Sequence, residues 1–258
     1  MDFKYILFEI EDHIAKVILN IPEKLNALNL EVRLELLEAF GLVRGDDSIK
    51  VVVITGMGKA FCAGGDVSTM EGITPVAGRL RLKSGQRLVK AMVELEKPII
   101  GAINGITAGA GVSIALACDI LIASEEARFV LPFTKLGLVP DWGQFYFLPL
   151  RVGIARAKEL MFTGDMINAA EAERMGLVNR IVLGRKVVEE AMAFAERLAR
   201  GPSQSYAMIK AALNRWPASL ESFLELESTM QAVAFSSKDF DEGRKAFLEK
   251  RKPEFTGT

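Results

Sequence analysis

Three short runs of the chain are almost wholly apolar, and this uniformity limits what the chain can fold into. They are "KVVVITG" at 50–56, "IIGAING" at 99–105 and "DILIAS" at 119–124. A helical pattern separates the first two, with Leu88, Met92 and Leu95 on one face. Strands that lack a polar face and alternate with helices are typical of a parallel sheet covered on both sides. The sequence therefore predicts an α/β fold.

The two ends of the chain differ from this central part. The alternating pattern of 5–20 predicts a hairpin that turns at Asp12 and His13, and 30–43 predicts a helix. The apolar stripe expected to face the core from that helix is Leu30, Leu34, Leu37 and Val43. After about residue 143 the strands nearly vanish, and 177–182 is the one strand-like segment.

A break at "RGPSQ" (200–204) suggests a division of the chain. We expect residues 1–200 to form the core and residues 201–258 to form a C-terminal helical region. The apolar stripes of the terminal helices are compatible with folding back on the core or with packing on a second subunit.

Composition excludes several kinds of chemistry. The 32 basic and 33 acidic residues balance, so no overall field favours nucleic acid or an anionic membrane. Two cysteines, no targeting segment and no long apolar span favour a cytoplasmic protein. The single histidine, His13, lies in the predicted turn, so a Ser-His-Asp triad or a histidine-rich metal site is not expected, and we predict no metal.

Two segments rich in small residues each join a strand to a helix. They span 54–70 and 102–119. Unpaired backbone N–H groups at such junctions attract negative charge, so either segment could hold an oxyanion or a phosphate. The first is not a phosphate-binding P-loop, because Ala60 follows Gly58 and Lys59 where that motif needs Ser or Thr.

A dehydrogenase is an alternative interpretation of the second segment. Gly105, Gly109 and Gly111 lie between a strand and a helix, and Tyr206 and Lys210 have the spacing of the Tyr/Lys pair of short-chain dehydrogenases. A dinucleotide fold should open with its glycine turn, whereas here about a hundred residues precede it. The position of the segment therefore argues against this alternative.

Five motifs in order resemble those of the crotonase, or enoyl-CoA hydratase/isomerase, family. They are "IPEKLNALN" (21–29), "AFCAGGDV" (60–67), "NGITAGAGVSIALACD" (104–119), "KLGLVPDWG" (135–143) and "AERMGLVNRIV" (172–182). The resemblance implies a spiral of strand-strand-helix units with a C-terminal helical region, assembled as homotrimers or dimers of trimers. It also implies an acyl-coenzyme A substrate. Its oxyanion hole would be the backbone N–H groups of Gly65 and Ala110, which stabilise an enolate.

The same resemblance implies where coenzyme A binds. The matching residues are Lys24, Ala63, Asp66, Phe247 and Lys250, the last two reaching a neighbouring subunit's ligand. Each charged residue among them is equally compatible with a solvated surface. Coenzyme A is here part of the substrate, and no separate cofactor is expected.

The glutamates of the family's hydratases are missing. At the two positions the chain has Ser113 and Phe133, which offer little general acid–base capacity for adding water. In the family's isomerase branches the acid lies later, after a proline, and the matching residue is Asp141. Phe133, Leu138, Trp142 and Phe145 are expected to desolvate it, and with Ser113 the first three are expected to line the acyl pocket. Alternatively, Asp141 simply forms a turn after Pro140.

We therefore expect an acyl-CoA isomerase that moves a double bond from position 3 to position 2, or rearranges a ring-derived acyl-CoA. Asp141 would be its proton shuttle. The alternatives are an enoyl-CoA hydratase of the same family and a protein that binds acyl-CoA without converting it. Neither a nucleic acid nor a membrane is an expected partner.

Overall fold

The computed structural model describes residues 3–258, which form ten strands and ten α-helices. The strands are β1 (Ile6–Glu11), β2 (Ile14–Leu19), β3 (Val51–Gly56), β4 (Ala60–Cys62), β5 (Ile99–Ile103), β6 (Ile106–Ala108), β7 (Ile120–Ser124), β8 (Arg128–Val130), β9 (Met166–Asn168) and β10 (Arg180–Val182). The helices are α1 (Leu30–Gly45), α2 (Pro75–Val93), α3 (Ala110–Leu116), α4 (Gln144–Val152), α5 (Ile154–Thr163), α6 (Ala169–Arg174), α7 (Val187–Ala199), α8 (Ser203–Leu213), α9 (Leu220–Ala234) and α10 (Lys238–Glu249).

The larger sheet has six strands in the order β1-β2-β3-β5-β7-β10. The strands from β2 onward are parallel, and β1 pairs antiparallel with β2 across a turn in which Asp12 and His13 have φ of 46° and 68°. Positive φ at both central residues matches the twist of a two-residue hairpin. The predicted hairpin and parallel strands are confirmed.

Both faces of this sheet are covered. Val51 and Val53 point to one side, where they pack in one cluster with Ala191 and Ala195 of α7. Val52 and Ile54 point to the other side, into the main core. Successive side chains of a strand point in opposite directions, so these fully apolar strands need a covering layer on each side.

The second sheet has four strands in the order β4-β6-β8-β9. Three of its strands follow a strand of the larger sheet, as β3 leads to β4, β5 to β6 and β7 to β8. Helices α2 and α3 follow the first two pairs. This repetition confirms the spiral of strand-strand-helix units and the α/β fold class.

Two features of the sequence prediction were wrong in detail. Strand β9 pairs antiparallel with β8, although strands were expected to be nearly absent after residue 143 except at 177–182. In α1, Leu30 and Leu34 are 48% and 53% exposed, and of the predicted stripe Val43 is buried. The side of α1 that faces the core instead carries Val32, Leu36, Ala39, Phe40 and Val43. Apolar residues recur at helical spacing on both sides of α1, so periodicity does not distinguish them.

Helix α8 is tied to the core by a buried ion pair. Lys210 Nζ donates to Asp119 Oδ2 at 2.7 Å and to the carbonyls of Met92 and Lys97 at 3.3 and 2.9 Å. The same carboxylate oxygen accepts the N–H of Ile99 at 2.7 Å. All three ammonium protons of Lys210 are thus engaged in holding α8 against the core, rather than being offered to a dinucleotide.

The C-terminal region continues from α8 through α9 and α10. In the described chain α9 has no buried residue, so it does not fold back onto the core. Among the helices of residues 3–258, none is long and apolar enough to cross a membrane. The division at residue 200 remains a prediction.

Candidate active site

The two glycine segments meet in the fold. Gly64 has φ of +89°, and a Cβ there would lie 2.6 Å from the carbonyl oxygen of Ala108 and 3.1 Å from the nitrogen of Ala110. Any larger residue would therefore force the segments apart as well as strain the backbone. The Leu28 N–H donates to Gly64 O at 2.7 Å, which fixes the first segment against the start of α1.

Gly65 and Ala110, the expected oxyanion-hole residues, follow these contact points. Within residues 3–258 no protein acceptor is bound by the N–H of Gly65 or by that of Ala110. The preceding residue, Gly109, has φ of 50° and ψ of −120°, a conformation that residues with a side chain rarely adopt. The structure thus brings together two free backbone donors from residues that lie 45 positions apart in the sequence.

Asp141 lies in the loop between a 3₁₀ turn (Thr134–Leu136) and α4. Its carboxylate is largely buried, and among the described residues Oδ1 has no hydrogen-bond partner. Burial raises the pKa of this carboxyl to about 6, while the positive charges of Arg81 and Arg33 act to lower it. A buried, unpaired carboxylate with a raised pKa is unlike a solvated turn residue and is suited to accepting a proton.

Trp142, the residue that follows Asp141, is buried against helix α2. It has φ of 49°, is 5% exposed, and its indole occupies the space beside Gly85 of α2. A Cβ at Gly85 would overlap the indole ring. The absence of a side chain at Gly85 is therefore what allows Trp142 to be buried next to Asp141.

Sequence reasoning missed two arginines of this region. Arg33 of α1 is 4% exposed and donates from Nε to Asn29 O at 2.9 Å and from Nη1 to Arg81 O at 3.1 Å. Its guanidinium lies 5.8 Å from the ring centre of Trp142. Arg81 donates to Thr69 Oγ1 at 2.8 Å and to Asp66 O at 3.1 Å. The one available sequence signal for Arg33 was its position next to Val32, one of the apolar residues that α1 buries.

Gln144 was also missed. It is the first residue of α4, it is fully buried, and its Nε2 donates to Gly109 O at 2.7 Å and to Ser113 Oγ at 2.8 Å. Ser113 Oγ in turn donates to the backbone oxygen of Asp141 at 3.2 Å. These bonds connect the second glycine segment to the loop that carries Asp141.

The residues expected to line the acyl pocket divide into two groups. Ser113, Phe133 and Trp142 are buried, and a Cβ at Gly109 would lie 3.9 Å from the Phe133 ring. Leu138 is 44% exposed and Phe145 is 60% exposed. These two side chains are therefore only partly covered within the single chain, and their contribution to the desolvation of Asp141 stays a prediction.

The residues expected to bind coenzyme A fall into two groups in different parts of the fold. Lys24, Ala63 and Asp66 lie close together: Ala63 N–H donates to Leu25 O at 2.9 Å, and Lys24 is among the charges that act on Asp66. Hydrogen bonds from Ser68, with a smaller contribution from Lys24, lower the pKa of Asp66. Phe247 and Lys250 lie at the exposed end of α10.

Comparison with known proteins adds to this geometry. The profile of the family described as enoyl-CoA hydratase/isomerase matches residues 9–258. The chain is 38% identical to the 1,2-epoxyphenylacetyl-CoA isomerase of Escherichia coli, with 98% of this chain and 99% of that protein covered. It is 40% identical to a probable enoyl-CoA hydratase of Rhodobacter capsulatus over the full length of both.

The fold of the chain also matches that of solved structures over its whole length. A crystal structure of an enoyl-CoA hydratase subunit from Geobacillus kaustophilus superposes with a TM-score of 0.95 at 35% identity, covering 100% of both chains. A match over almost the whole sequence and the whole fold goes far beyond a shared motif. The chain belongs to the enoyl-CoA hydratase/isomerase family.

Proposed function

We propose that this protein is an acyl-CoA isomerase in which Asp141 shuttles a proton and the N–H groups of Gly65 and Ala110 bind the thioester oxygen. The observation that carries the proposal is the buried, unpaired carboxylate of Asp141, whose loop is bonded to the segment bearing one of two free backbone donors. The reaction is the conversion of a 3-enoyl-CoA to a 2-enoyl-CoA, or an equivalent rearrangement of a ring-derived acyl-CoA.

The proposed steps need only these groups. Asp141 removes a proton from C2, and the electron pair of the C–H bond moves toward the thioester oxygen. The two N–H groups stabilise the resulting dienolate, an effect worth about 3 kcal/mol for each donor. The protonated Asp141 then returns the proton to C4, which leaves the double bond between C2 and C3 and restores the carboxylate.

Coenzyme A recognition is part of the same proposal. Ala63 and Asp66 lie within the first glycine segment and Lys24 lies beside it, and these three residues would bind the nucleotide part of the substrate. Phe247 and Lys250 are exposed at the C-terminal end of α10, and in an assembly of subunits they would contact the ligand of an adjoining subunit. The buried rings of Phe133 and Trp142 would enclose the acyl group and limit the access of water.

Hydration of a 2-enoyl-CoA is the second candidate function, because several relatives carry the name enoyl-CoA hydratase. The surroundings of Ser113 argue against it. Its hydroxyl accepts a hydrogen bond from Gln144 and donates one to the backbone of Asp141, so it is not free to move a proton of water. Phe133 at the other expected position has no polar group. A protein that binds acyl-CoA without conversion is the third possibility.

The test is to offer the purified protein a 3-enoyl-CoA and, separately, a 2-enoyl-CoA. We expect the absorbance of the conjugated thioester to appear with the first substrate, and little water adduct to form with the second. Asp141→Asn should lose about 10²- to 10⁴-fold in kcat, as is typical for loss of a general base, while acyl-CoA binding persists.

Asp165→Asn is the matched control, because Asp165 is an exposed aspartate whose side chain is 72% accessible. It should retain full activity. Efficient hydration without isomerisation, or an unimpaired D141N enzyme, would refute the proposed function. Tight binding without conversion of any enoyl-CoA would instead favour the non-catalytic alternative.

A further inference from the structure

The side-chain amide of Gln144 makes two hydrogen bonds through its nitrogen and none through its oxygen. Its Nε2 lies 2.7 Å from Gly109 O and 2.8 Å from Ser113 Oγ, whereas its buried Oε1 has no partner among residues 3–258. The orientation of the amide follows from these contacts. A backbone carbonyl can only accept, so the nitrogen of Gln144 must face Gly109 O.

The carbonyl that Gln144 contacts belongs to the peptide group whose other end is the N–H of Ala110. In a trans peptide the C=O and N–H point in opposite directions within one plane, so fixing one fixes the other. Gly109 has the glycine-favoured conformation with φ of 50° and ψ of −120°, which gives this peptide more freedom to rotate than an ordinary residue would allow. The Val112 N–H also donates to Gly109 O, at 3.0 Å.

A role in packing alone does not account for Gln144. An unpaired carbonyl oxygen in a buried site destabilises the fold, and an apolar side chain of the same length would fill the space without that cost. The part of Gln144 that is satisfied is its donor, Nε2. The contacts therefore single out hydrogen-bond donation to Gly109 and Ser113 as what the amide contributes here.

We propose that Gln144 is a positioning residue for the oxyanion hole: it holds and polarises the Gly109–Ala110 peptide so that the Ala110 N–H is aimed at the thioester oxygen. This inference rests on the proposed function, because it assumes that Ala110 binds that oxygen. Hydrogen bonds in a chain strengthen one another, so a donor on Gly109 O makes the Ala110 N–H a better donor. Through Ser113 the same amide links this peptide to the Asp141 loop.

The experiment compares the wild-type protein with Gln144→Met, which keeps the length of the side chain and removes the donor. Butyryl-CoA, a saturated acyl-CoA with no double bond to move, is the probe, with ¹³C at its carbonyl. Difference infrared spectroscopy measures the carbonyl stretch of the bound thioester. We expect a shift to lower frequency in the wild type and a smaller shift in Q144M.

Turnover of a 3-enoyl-CoA provides a second measurement. We expect kcat of Q144M to fall by about 10- to 100-fold, less than the loss from deleting an oxyanion-hole donor itself, with KM changed less than about threefold. Gln231→Met is the control, because Gln231 is exposed on α9. It should match the wild type in both measurements.

Gln144→Glu keeps the inference testable if Q144M folds poorly. The introduced carboxyl donates to Gly109 O only when it is protonated, so activity relative to the wild type should rise as the pH falls. The carbonyl shift of bound butyryl-CoA in Q144E should likewise approach that of the wild type as the pH falls, and a shift that stays the same from pH 8 to pH 5 contradicts the positioning role.

The outcomes separate the inference from the function on which it rests. An equal carbonyl shift in the wild type and Q144M overturns the role of Gln144 and leaves the isomerase intact. No shift in the wild type overturns the oxyanion hole and the inference with it. A shift that depends on Gln144, in a protein that isomerises no enoyl-CoA, supports the inference and overturns the isomerase.

Discussion

A carboxylate that removes a proton from carbon is a stronger base when its surroundings do not stabilise its charge. Burial raises the pKa of Asp141 to about 6, and Arg81 and Arg33 keep it lower than burial alone would. These opposing effects leave the carboxylate ionised at neutral pH, yet more basic than an exposed aspartate. This compromise suits a group that must both take and return a proton.

The balance at Asp141 predicts how activity depends on pH. The base must be ionised in the free enzyme, so we expect kcat/KM for a 3-enoyl-CoA to fall about tenfold per pH unit below about 6 and to be level above it. In Arg81→Met the loss of a positive charge raises the pKa of Asp141, which moves this acidic limb to higher pH.

Arg79→Met serves as the control, because Arg79 is exposed on the same helix, α2. The acidic limb of its pH profile of kcat/KM should coincide with that of the wild type. If R81M also coincides with the wild type, Arg81 does not act on the base.

Ionisation of Asp141, which activity requires, should lower the stability of the fold. The pKa of Asp141 is about 6 in the folded chain against an ordinary 3.8, so ionisation is harder in the folded state than in the unfolded one. This unfavourable contribution is absent below about pH 4, grows between pH 4 and 6, and is constant above 6. We therefore expect Tm of D141N to exceed that of the wild type above pH 6, with the difference vanishing near pH 4. A lower Tm for D141N at pH 8 would contradict the burial argument.

Individual residues were predictable where a motif placed them and not where a tertiary contact did. Asp141, Gly65 and Ala110 follow from motif positions, and the roles given to them remain proposals. Gln144 bonds to Gly109, which lies 35 positions away, and no local pattern announces that contact. Arg33 contacts Trp142 only because α1 and α2 pack side by side.

At the scale of elements, helix α2 carries the notch that receives Trp142. Gly85 lies in the interior of α2, where glycine lowers helix stability by roughly 1 kcal/mol relative to alanine. Here the missing side chain is needed, since the indole fills its place. Trp142 also has a positive φ, which costs of order 1–3 kcal/mol and persists only when packing enforces it.

This packing predicts opposite effects for two glycines of the same helix. In Gly85→Ala the added Cβ overlaps the indole of Trp142, so the ring and the neighbouring Asp141 must shift. We expect a loss of about 1–3 kcal/mol in the free energy of unfolding, the usual range for overpacking, together with at least a tenfold loss of isomerase activity. Denaturant melts followed by tryptophan fluorescence would measure the first.

Gly78→Ala is the matched control. A Cβ at Gly78 would lie 3.8 Å from Ile73, an ordinary contact, so this variant should be about 0.5–1 kcal/mol more stable than the wild type and fully active. Equal behaviour of the two variants would show that Trp142 is not held by the notch.

Element length decided which strands the sequence could reveal. The five- and six-residue strands β1, β2, β3, β5 and β7 have a pattern long enough to recognise, and all were predicted. Of the five three-residue strands, β10 lies in the predicted strand-like segment 177–182, whereas β4, β6 and β9 have too few residues for any periodicity and were not predicted. These strands exist because neighbouring chain segments pair with them, and the pairing of β4 with β6 brings the two glycine segments into one site.

At the scale of the whole molecule, the single chain has a larger accessible surface than a compact monomer of the same mass. Its accessible surface is 13964 Å², whereas a compact monomer of 28.3 kDa is expected to expose about 11,200 Å². Much of the apolar part lies on the C-terminal helices, where Leu220, Leu224 and Phe247 are 68%, 51% and 83% exposed. Exposed apolar surface on this scale is typical of a protein that assembles with further copies.

We propose, as the family resemblance implies, that the protein is a homotrimer or a dimer of trimers in solution and that its subunits meet through this exposed surface. Leu224→Glu places a charge on α9, so we expect sedimentation velocity to show a shift from the assembled form toward monomers, with the circular dichroism of the fold retained. Leu183→Glu is the control, because Leu183 is 63% exposed but precedes α7, outside the C-terminal helices. If Phe247 and Lys250 reach the ligand of a neighbouring subunit, dissociation should also weaken acyl-CoA binding, and a monomeric L224E protein with unchanged affinity would show that each subunit binds its substrate alone.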